Sequence, residues 1–197
     1  MVLSDGAFDV VALASSAGGL SALSQILAEL PGDLPAAVVV IQHLDPRHRS
    51  LMADILARRT ELKVKEAEDH DRLVTGAVFV APPNHHLLVN SDATLSLTQT
   101  ELVHFVRPSA DLLFESVAAS FRDRVIAVVL TGTGTDGAMG LAAVKKMGGT
   151  VIAQDRSSSE FFGMPSAAIE SGNVDFVLRL EEISSALATL VRGERRA

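Results

Sequence analysis

The stretch at residues 8–19, Phe8-Asp9-Val10-Val11-Ala12-Leu13-Ala14-Ser15-Ser16-Ala17-Gly18-Gly19, decides the fold. Residues 8–14 form a short apolar, β-branched run of the kind that makes a strand buried on both faces. Two serines and two glycines end the run. A helical period follows in Leu20, Leu23, Ile26, Leu27 and Leu30, and Pro31-Gly32 closes it. Buried strand, glycine turn and amphipathic helix begin a βαβ unit. Residues 36–41 supply its second strand, which ends at Gln42-His43.

The alternation recurs along the chain. Residues 49–59 read as a helix with Leu51, Met52, Ile55 and Leu56 on one face. The middle differs: residues 64–67, 77–81, 87–89 and 94–98 are short strand-like runs, and residues 90–93 look like a hairpin turn. This predicts an antiparallel excursion beside the main sheet or at its edge. Residues 109–121 then read as a helix capped by Ser109, with Asp111 in its first turn. Strands are expected at 125–131, 150–153 and 176–178, and helices at 138–146, 165–171 and 181–191. The polar residues 192–197 are expected to fray. The expectation is an α/β domain: a three-layer, doubly wound, mostly parallel sheet with a short antiparallel β excursion in mid-chain.

Composition narrows the function. A chain of 197 residues is sized for one domain with its own core. The absence of cysteine excludes a disulfide scaffold, a thiol nucleophile and cysteine-type metal sites. Seventeen basic against 24 acidic residues give a net charge of −7. With no basic stripe and no Trp or Tyr for stacking, a nucleic-acid binder is not expected. No apolar run reaches the roughly 18 residues of a membrane span, and no signal peptide is visible. A cytoplasmic protein, not inserted in the membrane, is expected.

Parallel α/β sheets place their sites beyond the carboxyl ends of the strands. That rule selects Ser15, Ser16, His43 and the loop 131–136. Ser16 lies in a glycine-flanked turn that exposes a hydroxyl near the amides of a helix N-terminus. His43 ends the next strand, where a general base would stand, and Asp136 lies in another strand-to-helix loop, where a carboxylate can orient an imidazole. A helix cap and ordinary turn chemistry account for the same residue types.

A second reading competes. Gly132-Thr133-Gly134-Thr135-Asp136-Gly137 is a literal G-x-G-x-x-G after an apolar strand, and Asp155 follows at the spacing of a ribose-binding acid. An NAD(P)-binding Rossmann-like module therefore stays open, although Asp136 would repel a pyrophosphate. Histidines at 43, 48, 70, 85, 86 and 104 show no metal-ligand spacing, so no metal is expected. They read as surface and loop residues, with His85 and His86 pointing to opposite sides.

At these residues the sequence resembles the CheB receptor-methylesterase family of bacterial chemotaxis. Seven blocks carry the resemblance in order: residues 14–20, 42–43, 65–69, 80–86, 107–114, 130–140 and 163–172. It implies that Ser16 is the nucleophile, His43 the base and Asp136 the orienting acid, and that Ser15 is a decoy. The implied reaction is hydrolysis of glutamate γ-methyl esters on chemoreceptor cytoplasmic helices, with glutamine deamidation as a companion activity and no cofactor. Amides near Ala17 and Thr133 are the oxyanion candidates. Met164, Arg107, Arg47 and Arg49 are candidates for substrate contact. The family commonly shows Gly-Ala-Ser-Thr-Gly-Gly where Ala14–Gly19 stands, and Met where Thr133 stands. These changes keep a catalytically inactive scaffold open. The blocks begin so near residue 1 that residues 1–197 read as a single catalytic domain without the family's receiver domain, which leaves a place for another regulatory partner.

Overall fold

The computed structural model describes residues 7–43 and 50–193. Seven strands form one sheet: β1 (Val10–Ser15), β2 (Ala37–Gln42), β3 (Lys63–Glu66), β4 (Ala77–Val80), β7 (Val125–Val129), β8 (Thr150–Gln154) and β9 (Phe176–Leu178). Their order is β3-β4-β2-β1-β7-β8-β9, and every pairing is parallel. β5 (His86–Val89) and β6 (Leu95–Thr98) form a separate antiparallel hairpin.

The alternation of side chains builds the two outer layers. Val10, Ala12 and Ala14 of β1 face α3 (Ala110–Phe121), α4 (Gly140–Lys146), α5 (Gly163–Glu170) and the hairpin. Val11 and Leu13 face α1 (Gly19–Glu29), α2 (Met52–Ala57) and α6 (Leu180–Arg192). β1 is buried along its whole length, which is why its sequence shows no polar alternation. A bidentate pair from Arg124 Nε and Nη2 to the buried Asp9, at 2.6 and 2.7 Å, ties the entry of β1 to that of β7.

The three-layer, doubly wound expectation holds, but the antiparallel excursion is smaller than expected. Residues 64–67 and 77–81 contribute β3 and β4 to the main parallel sheet, and only the hairpin is antiparallel. The connection from β3 to β4 carries no helix, so short strand runs beside a hairpin turn resemble a continuous antiparallel meander. β4 is buried throughout, as an inner parallel strand should be. β3 is an outer strand whose Lys63, Lys65 and Glu66 keep that edge from pairing further. Of the helix expected at 49–59, the described residues show Met52–Ala57; Arg47, His48 and Arg49 lie outside the described residues. α6 runs through Arg192.

From β1 the chain moves outward to β2 and the edge strand β3, fills in β4 between them, then returns to lay β7 on the other side of β1. The strand order thus reverses at β1, and such a reversal opens a crevice beyond the carboxyl ends of the strands. The loops after β1, β2 and β7 meet there.

α3 and α4 pack closely at Gly140. A Cβ there would stand 2.6 Å from the Asp111 carbonyl oxygen and 2.9 Å from its Cα. Backbone cannot yield as a flexible side chain can. Gly140→Ala is therefore expected to destabilise the fold by about 1–3 kcal/mol. Equilibrium urea denaturation should show a lower midpoint with unchanged slope.

Candidate active site

Ser15 and Gln42 are the last paired residues of β1 and β2, so Ser16 and His43 come next at the same level on adjacent strands. The pairing extends past the strand ends, with the His43 amide donating to Ser15 O at 3.1 Å. The Ser16 amide donates to Thr131 O at 3.0 Å, fixing the serine against the exit of β7. Gln42 braces the turn: its Nε2 donates to Ser16 O at 2.6 Å and His43 O at 3.1 Å. Its Oε1 accepts the Ser15 hydroxyl at 2.7 Å. Ser15 is wholly buried and so occupied, whereas Ser16 is half-buried and its hydroxyl has no hydrogen bond among the described residues. The decoy reading of Ser15 agrees with this geometry.

The turn after Ser16 requires glycine at 18. Its φ is +77°, and a Cβ would stand 2.8 Å from Glu160 Oε2 and 3.1 Å from Thr131 Oγ1. With the chain turned so, the Ala17 amide has no acceptor among the described residues. The Thr133 amide, across the crevice in an exposed loop, has none either. Such amides can hold a developing oxyanion.

His43 Nε2 lies 2.8 Å from Asp136 Oδ2, and Nδ1 has no hydrogen bond among the described residues. Asp136 is 4% exposed and sits on the N-terminus of α3. It accepts the Ser109 hydroxyl at 2.8 Å, the Ala110 amide at 2.6 Å and the Asp111 amide at 3.3 Å. Burial works against its charge, but the bonds from His43, Ala110 and Ser109 outweigh burial and hold the carboxyl below its ordinary range. Ser109 does occupy the N-cap position, yet it does not cap its own helix. The Asp136 carboxylate from another loop takes the first amides instead.

Beside it, Asp111 is pushed the other way. Burial raises its carboxyl, the Gly140 amide at 2.7 Å opposes, and the Asp136 charge adds to the rise. The two neighbouring carboxyls are thus pushed in opposite directions. His104 Nε2 stands 3.2 Å from Asp111 Oδ2 but is not aligned for a hydrogen bond, so Oδ2 has none.

The remaining candidates divide. Met164 is 1% exposed, under the loop: a Cβ on Gly132 would strike its sulfur, and the Met164 amide donates to Gly132 O at 2.9 Å. Arg107 binds within its own fold. Its Nε and Nη2 donate to Asn84 Oδ1 at 3.1 and 2.6 Å, and Nη1 to the carbonyls of Gln99 and Thr100 at 3.0 and 2.6 Å. His86 departs from the surface reading of the histidines, being wholly buried. Its ring nitrogens face the Ser109 amide and the Glu101 carbonyl, 23 and 15 positions away, which no local spacing reveals.

The geometry of the glycine loop does not favour a nucleotide site. Asp136 turns onto α3, and the helix after the loop is only Gly140–Lys146. Both Asp155 oxygens accept bonds from Ser157 and Ser158, at 2.6 and 2.5 Å from the hydroxyls. Burial alone would raise Asp155, but these bonds hold it down to about 2. Among the described residues, no three acidic or histidine side chains could together hold a metal ion.

A groove of about 750 Å³ opens from Ser16 along the outer face of α1. Ser21, Ser24 and Gln25 line it, with Ile55 and Arg59 opposite. Among the described residues that line it, Arg59 is the only charged one.

A parallel α/β sheet with serine, histidine and a buried aspartate at its reversal point has the build of a serine hydrolase. The CheB methylesterase family model matches residues 11–187, and the chain belongs to this family of carboxylic-ester hydrolases. It is 41% identical over 177 residues to a putative protein-glutamate methylesterase/protein-glutamine glutaminase of Leptospira interrogans, covering 90% of this chain and 92% of that protein. It is 42% identical over 189 residues to the protein-glutamate methylesterase/protein-glutamine glutaminase of Moorella thermoacetica, covering 94% of this chain but 45% of that protein. The crystal structure of the Thermotoga maritima CheB methylesterase catalytic domain matches with TM-score 0.90 and 38% identity, covering 93% of this chain and 99% of that one.

Proposed function

We propose that this chain hydrolyses glutamate γ-methyl esters on chemoreceptor helices, with Ser16, His43 and Asp136 as its catalytic triad. The observation that carries the reading is the line Asp136 Oδ2–His43 Nε2 at 2.8 Å, ending at Ser16's level on the neighbouring strand. His43 Nδ1 takes the Ser16 proton as Oγ attacks the ester carbonyl. The Ala17 and Thr133 amides receive the oxyanion. As the intermediate collapses, His43 returns the proton to the departing methoxide and methanol leaves. Water, deprotonated by His43, then cleaves the acyl-enzyme to a free glutamate carboxylate. Glutamine at the same position would release ammonia by the same steps. Asp136 orients the imidazole and balances its transient charge; no cofactor enters.

The groove is far larger than one esterified side chain requires, which suits an ester presented on a protein. Arg59 gives an acid-rich helix a local positive contact on a chain of net charge −7. No helix among the described residues is long and apolar enough to cross a membrane, so the enzyme would meet the receptor from outside the bilayer.

The test is methanol release from methylated receptor membranes, together with labelling by a fluorophosphonate. Release should accompany stoichiometric labelling, with the tag on the peptide containing Ser16. Labelling of Ser15, or release that survives complete labelling, would overturn the assignment. Labelling without release would point to a different methylated protein as substrate.

A further inference from the structure

β5 begins with a histidine that solvent does not reach. His86 is 0% exposed, and both ring nitrogens are engaged. Nδ1 faces the Ser109 amide at 3.2 Å, and Nε2 faces the Glu101 carbonyl oxygen at 2.9 Å. An amide N–H only donates and a carbonyl only accepts. The ring is therefore neutral, with its proton on Nε2. It accepts on one side and donates on the other, so it ties together both ends of the segment that leads into α3. Arg107 also ties the segment down, donating to Asn84 Oδ1 and to the carbonyls of Gln99 and Thr100.

Ser109 is thus held from two directions. His86 takes its amide, and its hydroxyl donates to Asp136 Oδ1 at 2.8 Å. The next amide, Ala110, donates to Asp136 Oδ2, the oxygen that also faces His43. Where Ser109 stands therefore sets how the carboxylate is turned.

We propose that His86 is a positioning residue for this reaction: by fixing Ser109 it orients Asp136 so that Oδ2 meets His43. The proposal rests on the triad reading above. It adds a fourth side chain that touches neither substrate nor the reacting atoms.

The alternative is that His86 only joins the hairpin to its neighbours. Kinetics separate the two. Methyl-ester hydrolysis would be measured per active site titrated with a fluorophosphonate, for His86→Phe, His86→Asn, Ser109→Ala and the Phe/Ala double variant. A small misorientation of the acid should lower kcat about tenfold in His86→Phe with little change in KM. Asparagine keeps an acceptor near Nδ1, so His86→Asn should recover most of the loss. Because His86 acts through Ser109, the double variant should be no slower than Ser109→Ala alone. Wild-type kcat per titrated site in His86→Phe would overturn the proposal, as would losses that multiply in the double variant. If His86→Phe does not fold, His86→Gln replaces it, since glutamine reaches toward Glu101 but not Ser109. Equal kcat for the Gln and Asn variants would then overturn it. Ser16→Ala in the same assay separates this from the parent reading: turnover surviving there would defeat the triad itself.

Discussion

Ser16→Ala should lose on the order of 10⁵–10⁶ in kcat while folding as the native chain does. The size follows from what is removed. Without Oγ there is no acyl-enzyme, and His43 and Asp136 have no nucleophile to activate. What remains is the oxyanion amides and whatever orientation the groove imposes. The fold should not notice, because the Ser16 hydroxyl makes no hydrogen bond among the described residues. The turn is held by its backbone, through Thr131 O and Gln42 Nε2. Identical thermal melts with lost methanol release are the expected pair of results. A comparable loss from Ser15→Ala, with full activity in Ser16→Ala, would exchange the roles of the two serines.

The second large effect belongs to Asp136. Asp136→Asn should lower kcat about 10⁴-fold, because an amide that donates toward Nε2 selects the wrong imidazole tautomer. Unlike the serine variant, this one should also lose stability, since the carboxylate accepts from Ser109, Ala110 and Asp111. The pH dependence has a definite sign. A carboxyl held below its ordinary value contributes stability that is fully present above that value. The contribution disappears as pH falls through the depressed value. The native chain should therefore show an acid-side loss of stability that is smaller in Asp136→Asn. Urea midpoints between neutral pH and pH 3 would measure it, and identical slopes for the two proteins would contradict the buried-carboxylate geometry.

Much of this was legible before any coordinates. The run at residues 8–19 contains both the buried strand and the turn that presents Ser16, because strand, turn and helix start are local properties of the chain. His43 was legible for a related reason: the residue after a buried parallel strand stands at the rim that carries function. Asp136 was a weaker inference, since its loop also satisfies a dinucleotide fingerprint. What separated the two readings was the direction of one carboxylate, and direction depends on α3, whose N-terminus is 26 residues away in sequence. The same distance hid His86, which as a sequence feature looks like one of two adjacent loop histidines. The parallel placement of β3 and β4 was missed because a helix-less crossover resembles a reversal until the edge it joins is known. The block around Arg107 suggests substrate contact, whereas its guanidinium is bonded to Asn84 and to the carbonyls of Gln99 and Thr100.

The return of the chain across β1 has a consequence for biosynthesis. A ribosome that has delivered residues as far as α3 has released the serine, the histidine and the helix end that will receive the acid, but not the acid. Asp136 arrives only with β7, the strand that closes the other flank of β1. Contacts of such long sequence separation form late and slowly. Under the proposed triad, a nascent chain that stops short of β7 lacks the carboxylate, so hydrolysis would wait until both flanks of β1 are available.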